Sequence, residues 1–418
     1  MPFRLPTAVL RFPRRYPLSW LVLLIPLSLT LYYNFGYLNQ LAKYQITPAP
    51  SLSKEDPTTG NVQNTSTSSS AGDVLLVTAL FPLVSSKYDL NSIKNLLQKI
   101  ETEIYFFTTP EFEPTVRSYR GRLPITVDST LSGPFDIPIL ENRVESYQDM
   151  QKKDRERSKH PPEVYAARNA KPYLLAEGLR RSEANGNSPK YVFWIDAESI
   201  EAKHAYKDWP SVHRLNSVWE EGRREGGARL EDMFFMPTWE MPHPSMSLWN
   251  EGMGPISSDF VDGSFFGGMP KAALWWERYF YAYHDFYLDQ LRSFVGKDTS
   301  LMNSLVLLHP ERIITVWHND PKSPSRVDSI RNPAMKDLVL GDCGNTRRYF
   351  QFFLASESEQ DAQRGRWDGA WNWRFWELER WFRRRESCRV TRVLPMEWLL
   401  RRPFGDMWRS PEASIRVS

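Results

Sequence analysis

Two carboxylates, Asp196 and Glu198, stand one residue apart where the apolar run Lys190-Tyr191-Val192-Phe193-Trp194-Ile195 stops. At the end of an extended segment, side chains at i and i+2 point the same way. Ala197 between them lets a ligand come close to the backbone. Hard oxygen donors so placed suit Mn²⁺ or Mg²⁺ bridging a diphosphate. A Lewis-acid cation of that kind neutralises a diphosphate as its bond to a sugar breaks. The plainer alternative is an Asp196 that caps a following helix beside a solvated Glu198.

Two more segments carry chemistry. In Asp259-Phe260-Val261-Asp262-Gly263-Ser264-Phe265-Phe266-Gly267-Gly268-Met269, glycines flank a short aromatic strand, and Gly267 and Gly268 would permit close backbone approach to a sugar or nucleotide. Asp262 could hydrogen-bond hydroxyls of a donor or acceptor, or simply start a tight turn. Gly296-Lys297-Asp298-Thr299-Ser300 opens a helix, which puts Asp298 where helices attract phosphate and where aspartate is also a common cap. Lys171 and Lys297 are candidates for diphosphate oxygens, against the ordinary role of a lysine on a wet surface. His318 ends the apolar run Ile313-Ile314-Thr315-Val316-Trp317 and offers an imidazole that suits Mn²⁺, although strand-end histidines are commonplace.

These side chains need a frame. Val74–Leu80 and Glu103–Thr109 are continuous apolar runs of strand length, as expected of strands buried on both faces, and Leu123–Val127 is a shorter third. Helical patterns lie between them, at Leu90–Lys99 and Val164–Arg181, before the strand that ends at Asp196. Strands alternating with helices imply crossovers, hence an α/β fold with a mainly parallel sheet and helices on both faces. In such sheets ligands bind outside the carboxyl ends of the strands, where Asp196 stands. A helix over Leu274–Leu291 carries Trp275, Trp276, Tyr279, Phe280, Tyr283, Phe286 and Tyr287 at core spacing. The segment Trp367–Arg385 interleaves tryptophan with arginine and reads as a helix packing its aromatic face while its arginines reach outward.

The first residues set the surroundings. Arg4, Arg11, Arg14 and Arg15 precede 21 uncharged residues, 18–38, which as a helix would span roughly 31 Å, close to bilayer thickness. The apolar stretch is longer than a signal peptide's and lacks a small-residue cleavage pair. The positive flank predicts a cytosolic tail, 1–17, and a type II anchor in the Golgi membrane. A Ser/Thr/Pro-rich stalk, 39–72, holds the sequon Asn64-Thr65-Ser66. A luminal domain over 73–330 and a Trp/Arg-rich extension over 331–418 would follow. A net charge of +3 in 418 residues gives no reason to expect a nucleic-acid partner. Two cysteines, Cys343 and Cys388, exclude a disulfide-stapled miniprotein and would be free to pair in an oxidising lumen.

Several of these segments, in this order, resemble the HtrL/YibB family, in its membrane-anchored fungal-type branch. They are Leu80-Phe81-Pro82, Ile104 to Pro110, Tyr165 through Asn169-Ala170-Lys171-Pro172, Phe193 to Ala197, Asp262 to Gly268, and Val295 to Asp298 with Asn303. The likeness covers roughly residues 73–355. It implies a GT-A-like nucleotide-diphospho-sugar transferase fold. It also implies a glycosyltransferase that binds a nucleotide-sugar donor through Asn169, Lys171 and Asp196 and passes the sugar to a glycan or glycoconjugate acceptor. In GT-A enzymes an acid at a helix start often serves as general base on the acceptor hydroxyl, which points to Asp298, and a late histidine often joins the metal, which points to His318. Relatives usually have glycine at position 198, an aromatic at 168 and Gln-Thr at 299–300. This chain has Glu198, Arg168 and Thr299-Ser300 there, which makes Asp196 the firmer ligand. The competing reading is a non-catalytic membrane glycoprotein that uses the fold to bind carbohydrate or to scaffold. A two-metal phosphohydrolase would need a dense Asp/His cluster, and none is apparent.

Overall fold

The computed structural model describes residues 72–83, 88–326, 339–369, 387–415 and 417. The chain divides into two units, Met1–Thr67 and Ser68–Ser418, and the described residues all belong to the second. The expected tail, span and stalk up to residue 71 lie outside them, as do Trp371, Trp373, Trp376 and Trp381. Among the described residues no helix is long and apolar enough to cross a membrane.

The fold opens with β1 (Val74–Leu80), α1 (Leu90–Lys99), β2 (Glu103–Thr108), α2 (Glu113–Arg120) and β3 (Ile125–Asp128). Helices α3 (Val144–Gln151), α4 (Pro162–Asn169) and α5 (Lys171–Ala184) lead to β4 (Tyr191–Ile195). Then come α6 (Val212–Gly226), β5 (Phe234–Phe235), β6 (Phe265–Gly268), α7 (Pro270–Asp285), α8 (Asp298–Leu308) and β7 (Ile313–Thr315). The described chain ends with α9 (Tyr349–Phe353), α10 (Glu357–Gly369), β8 (Leu394–Pro395) and α11 (Met396–Phe404).

The eight described strands form one sheet in the order β3-β2-β1-β4-β6-β5-β7-β8. Strands β1 to β4 are parallel, β6 runs against both β4 and β5, and β8 runs against β7. This is the expected α/β fold with a mostly parallel sheet, here mixed. The alternation of strand side chains builds a core on each face. Leu75, Val77, Val192 and Trp194 pack with Leu174, Leu175 and Leu179 of α5 and Trp276 and Phe280 of α7. On the other face Leu76, Phe106, Phe193 and Ile195 meet Ile93 and Leu96 of α1, Trp219 of α6 and Phe350 of α9. The aromatic stripe of α7 is therefore core, with Trp276, Phe280 and Tyr283 fully buried.

Two departures from the sequence expectation matter for the site. The helical pattern over Val164–Arg181 is two helices, α4 and α5, joined at Ala170. Pro172 marks the break, because it has no N–H to donate to the carbonyl four residues back and is accommodated in the first turn of a new helix. Lys171 thus becomes the first residue of α5. The C-terminal residues, expected as an extension packed on the domain, supply β8 to the sheet itself.

Candidate functional site

After β1 the chain runs outward through β2 and β3, then returns to place β4 on the other side of β1. The crevice outside the carboxyl ends of β1 and β4 is the switch point at which ligands bind in open α/β sheets. Asp196 is the first residue beyond β4, buried on its strand side and 34% exposed at its side chain. Its Oδ1 accepts from Trp194 Nε1 at 2.7 Å, so the strand's own indole orients it. It does not cap a helix: the next, α6, is capped by Ser211.

Lys171 answers Asp196 from the start of α5. Its Nζ lies 3.0 Å from Asp196 Oδ1, 2.9 Å from Asp298 Oδ2 and 3.1 Å from the carbonyl of Gly263. Burial pushes the lysine pKa down, but Asp196 and Asp298 outweigh it and hold the ammonium charged, above the ordinary lysine value. Asp298 is the first helical residue of α8, not its cap, and its side chain makes no capping bond. The buried carboxylate turns to Lys171 instead. Gly263 lets these groups converge: a Cβ there would sit 2.9 Å from Thr299 Cγ2 and 3.5 Å from Asp298 Oδ2.

Asp262 makes the tight turn, with Oδ1 accepting from the Ser264 N–H two residues on. It is also gripped by Arg348, a residue for which the sequence offered no role. Arg348 Nη1 lies 3.0 Å from Asp262 Oδ2 and bonds Ser264 Oγ, while Nε and Nη2 reach Glu201 Oε1 at 3.2 and 3.1 Å. Burial works against its charge, and Asp262, Glu201 and Asp196 together restore it. Arg347-Arg348 follows Cys343 by a few residues and lies far in sequence from every other site residue, so no spacing rule could have found it.

Other candidates are placed elsewhere. Gly267 and Gly268 pair with Phe193 and Val192, away from the Asp196 end of β4. A Cβ at Gly267 would come 2.2 Å from the Val192 carbonyl, and one at Gly268 2.7 Å from that of Met233. The space these glycines open is thus filled by neighbouring strands rather than by a ligand. Asn169 is fully buried and donates to Tyr147 Oη (2.9 Å) and the Val295 carbonyl (3.0 Å), so it clamps the segment leading to α8. Lys297 is exposed and joins no ion pair among the described residues. Glu198 Oε1 accepts from the backbone N–H of Asp89, the cap of α1, and so ties α1 to the loop after β4. His318 is buried just beyond β7 against the Tyr349 ring. Its Nδ1 bonds Asn319 at 2.9 Å, and its Nε2 has no hydrogen-bond partner among the described residues.

A divalent cation is consistent with this chemistry in its individual ligands. Asp196 is a partly exposed carboxylate, and the orphaned Nε2 of His318 belongs to an imidazole that burial keeps neutral and whose other nitrogen is held by an amide. Asp196, Asp262 and Asp298 outnumber Lys171 and Arg348, so the site is net negative and an incoming diphosphate needs further positive charge. Among the described residues no group of three or more His, Cys, Asp or Glu side chains gathers round one point.

Cys343 and Cys388 are joined in a disulfide that anchors the segment bearing Arg348. No family model matches the sequence, and no curated protein matches it. Among solved structures, the chain is similar to mouse xyloside xylosyltransferase 1 in its apo form, at 9% identity and a TM-score of 0.35, over 59% of this chain and 86% of that one.

Proposed function

We propose that the protein is a metal-dependent glycosyltransferase, in line with the resemblance to the HtrL/YibB family and its GT-A-like fold, and that residues 18–38 anchor it as a type II Golgi membrane protein. The observation that carries the reaction is the convergence of Asp196, Lys171 and Asp298 at the switch point between β1 and β4. A bound Mn²⁺ or Mg²⁺, held by Asp196 with His318 and Glu198 as the further candidates, would supply charge neutralisation for the departing diphosphate. The protein's own groups do the rest. Lys171 fixes Asp196 and Asp298 in one geometry. The Asp298 carboxylate accepts the proton of the acceptor hydroxyl as that hydroxyl's oxygen bonds the anomeric carbon and the bond to the diphosphate breaks. Asp262, with both oxygens engaged, is a poorer base than Asp298 and instead orients Arg348.

Thermal melting of the full chain with nucleoside diphosphates, with and without Mn²⁺, tests this reading. A ligand at 100 times its Kd stabilises by about 2.7 kcal/mol. One nucleotide should raise the Tm only with metal, and Asp196→Ala should abolish the rise. A second reading, a non-catalytic carbohydrate-binding module, is favoured by the ion pairs that already engage all three aspartates. Absence of any nucleotide shift alongside saccharide binding would select it.

A further inference from the structure

Arg348 has two sides. One faces Asp262 and Ser264, and the other faces Glu201, where a second cleft of about 480 Å³, counted with the solvent at its mouth, opens between the loop after β4 and helices α9 and α10. Its walls include Glu201, Asn345, Arg348, Gln351, Gln363 and Trp367. We infer that this cleft is the acceptor subsite and that it takes a neutral saccharide unit; the inference rests on the transferase reading.

The lining argues for uncharged, hydroxyl-rich ligands. The lining carries two cations, Arg348 and Lys203, and Arg348 pairs with both Asp262 and Glu201, so two positive charges meet two negative ones and no net charge is left. Burial pushes the pKa of His204, another lining residue, down and keeps it neutral. The Glu201 carboxylate, half exposed at the mouth, accepts from Arg348 and from Asn345 Nδ2 at 3.2 Å and has lone pairs left for hydroxyls. The two glutamines each use one end of the amide on backbone. Gln351 donates to the Ser199 carbonyl at 2.9 Å, and Gln363 accepts from the Ala205 N–H at 2.9 Å. That leaves the Gln351 carbonyl oxygen as an acceptor and the Gln363 NH₂ as a donor. Behind them the rings of Phe352 and Trp367 lie 5.5 Å apart and give an apolar wall. Alternating donors and acceptors beside an aromatic face match a sugar ring, which has hydroxyls at its rim and C–H groups on its faces. Arg348 alone separates a saccharide seated there from Asp262, which connects the cleft to the turn that carries Asp262 and Gly263.

Ala202 is exposed on the cleft wall, and Ala202→Trp fills the cleft from its mouth. Gln363→Glu keeps the oxygen that accepts from Ala205 and removes the donor, which gives a second variant independent of bulk. Binding of methyl glycosides of glucose, galactose, mannose and xylose, and of their β-linked disaccharides, is measured on the full chain by ligand-observed NMR, with UDP and GDP plus Mn²⁺ measured in parallel. At least one saccharide is expected to bind, with affinity at least about tenfold weaker in each variant while nucleotide affinity is unchanged. Saccharide affinity unaltered in both variants, or no saccharide binding to the unmodified chain, overturns the inference. Loss of nucleotide affinity in Ala202→Trp also overturns it, because the cleft then holds the nucleoside. If neither nucleotide binds the unmodified chain while saccharide binding remains sensitive to both variants, the transferase reading fails and the saccharide site stands.

Discussion

Lys171 carries the sharpest expectation at the scale of single residues. An ammonium this buried between two carboxylates cannot be removed without leaving like charges facing one another. Lys171→Met should therefore lower stability by about 3–5 kcal/mol, read by denaturant unfolding. Adding Asp298→Asn should recover part of that loss, because it deletes one of the stranded charges, whereas purely additive losses would show that the three groups do not act as a unit. Asp298→Asn alone should leave donor affinity nearly unchanged and reduce kcat by about 10²–10⁴, the usual worth of a general base. An unaltered kcat would move the proton to another group. Asp196, Asp262 and Asp298 were all legible in the sequence because each sits at a strand end, a glycine turn or a helix start. Arg348 was not, because what makes it a site residue is a fold contact with Asp262, 86 positions earlier in the chain. Gly267 and Gly268 misled for the converse reason: a glycine is needed equally where a ligand approaches and where a neighbouring strand does.

At the scale of elements, strands β1, β2 and β4 and helix α1 could be read almost to the residue, since each is an uninterrupted apolar or amphipathic run. The reversed direction of β6 and the two-residue strands β5 and β8 could not. Two residues carry no period, and a strand's direction is set by its pairing partner. Helix packing adds a pH dependence. His309 follows α8 and is wedged edge-on between Trp275 and Tyr279 of α7, with Arg312 over the Trp275 ring and Glu311 at 3.9 Å. Burial, aided by Arg312, depresses its pKa to about 4. The unfolded chain binds that proton near pH 6.5, so this contribution is intact above about 6.5 and is lost as the pH falls toward 4. The loss amounts to roughly 3 kcal/mol. Unfolding measured from pH 7 to pH 4 should be less acid-sensitive in His309→Phe by about that amount, and parallel profiles would contradict it. The disulfide acts on another element. Closing 45 residues of chain stabilises by about 4 kcal/mol in the loop-entropy account. Cys388→Ser should cost up to that and also weaken saccharide binding, because Cys343 lines the same cleft as Arg348 and lies five residues before it. A stability loss with saccharide affinity untouched would separate the disulfide from that cleft.

At the scale of the whole molecule, the proposed membrane topology rests on two independent features. Both cysteines of the chain are joined in a buried disulfide, a bond that persists in oxidising compartments. The sequence before the described residues has arginines on one flank of an apolar stretch of spanning length, and a glycosylation sequon at Asn64 on the other. Either feature alone has ordinary explanations. A disulfide does not say how the chain is tethered, and a sequon does not say that it is used. On the proposed type II reading, Asn64 and the domain bearing Cys343 and Cys388 share the luminal side, with the N-terminus opposite. Translation of the full chain with microsomes measures both at once. Asn64 should gain a glycan, seen as a gel shift that endoglycosidase reverses and Asn64→Gln removes. A C-terminal tag should resist protease until detergent is added, and an N-terminal tag should be cleaved without it. A C-terminus digested in intact microsomes would put the domain in the cytosol. A nucleotide-sugar site with a luminal acceptor could not then operate, and the disulfide would have to form after lysis.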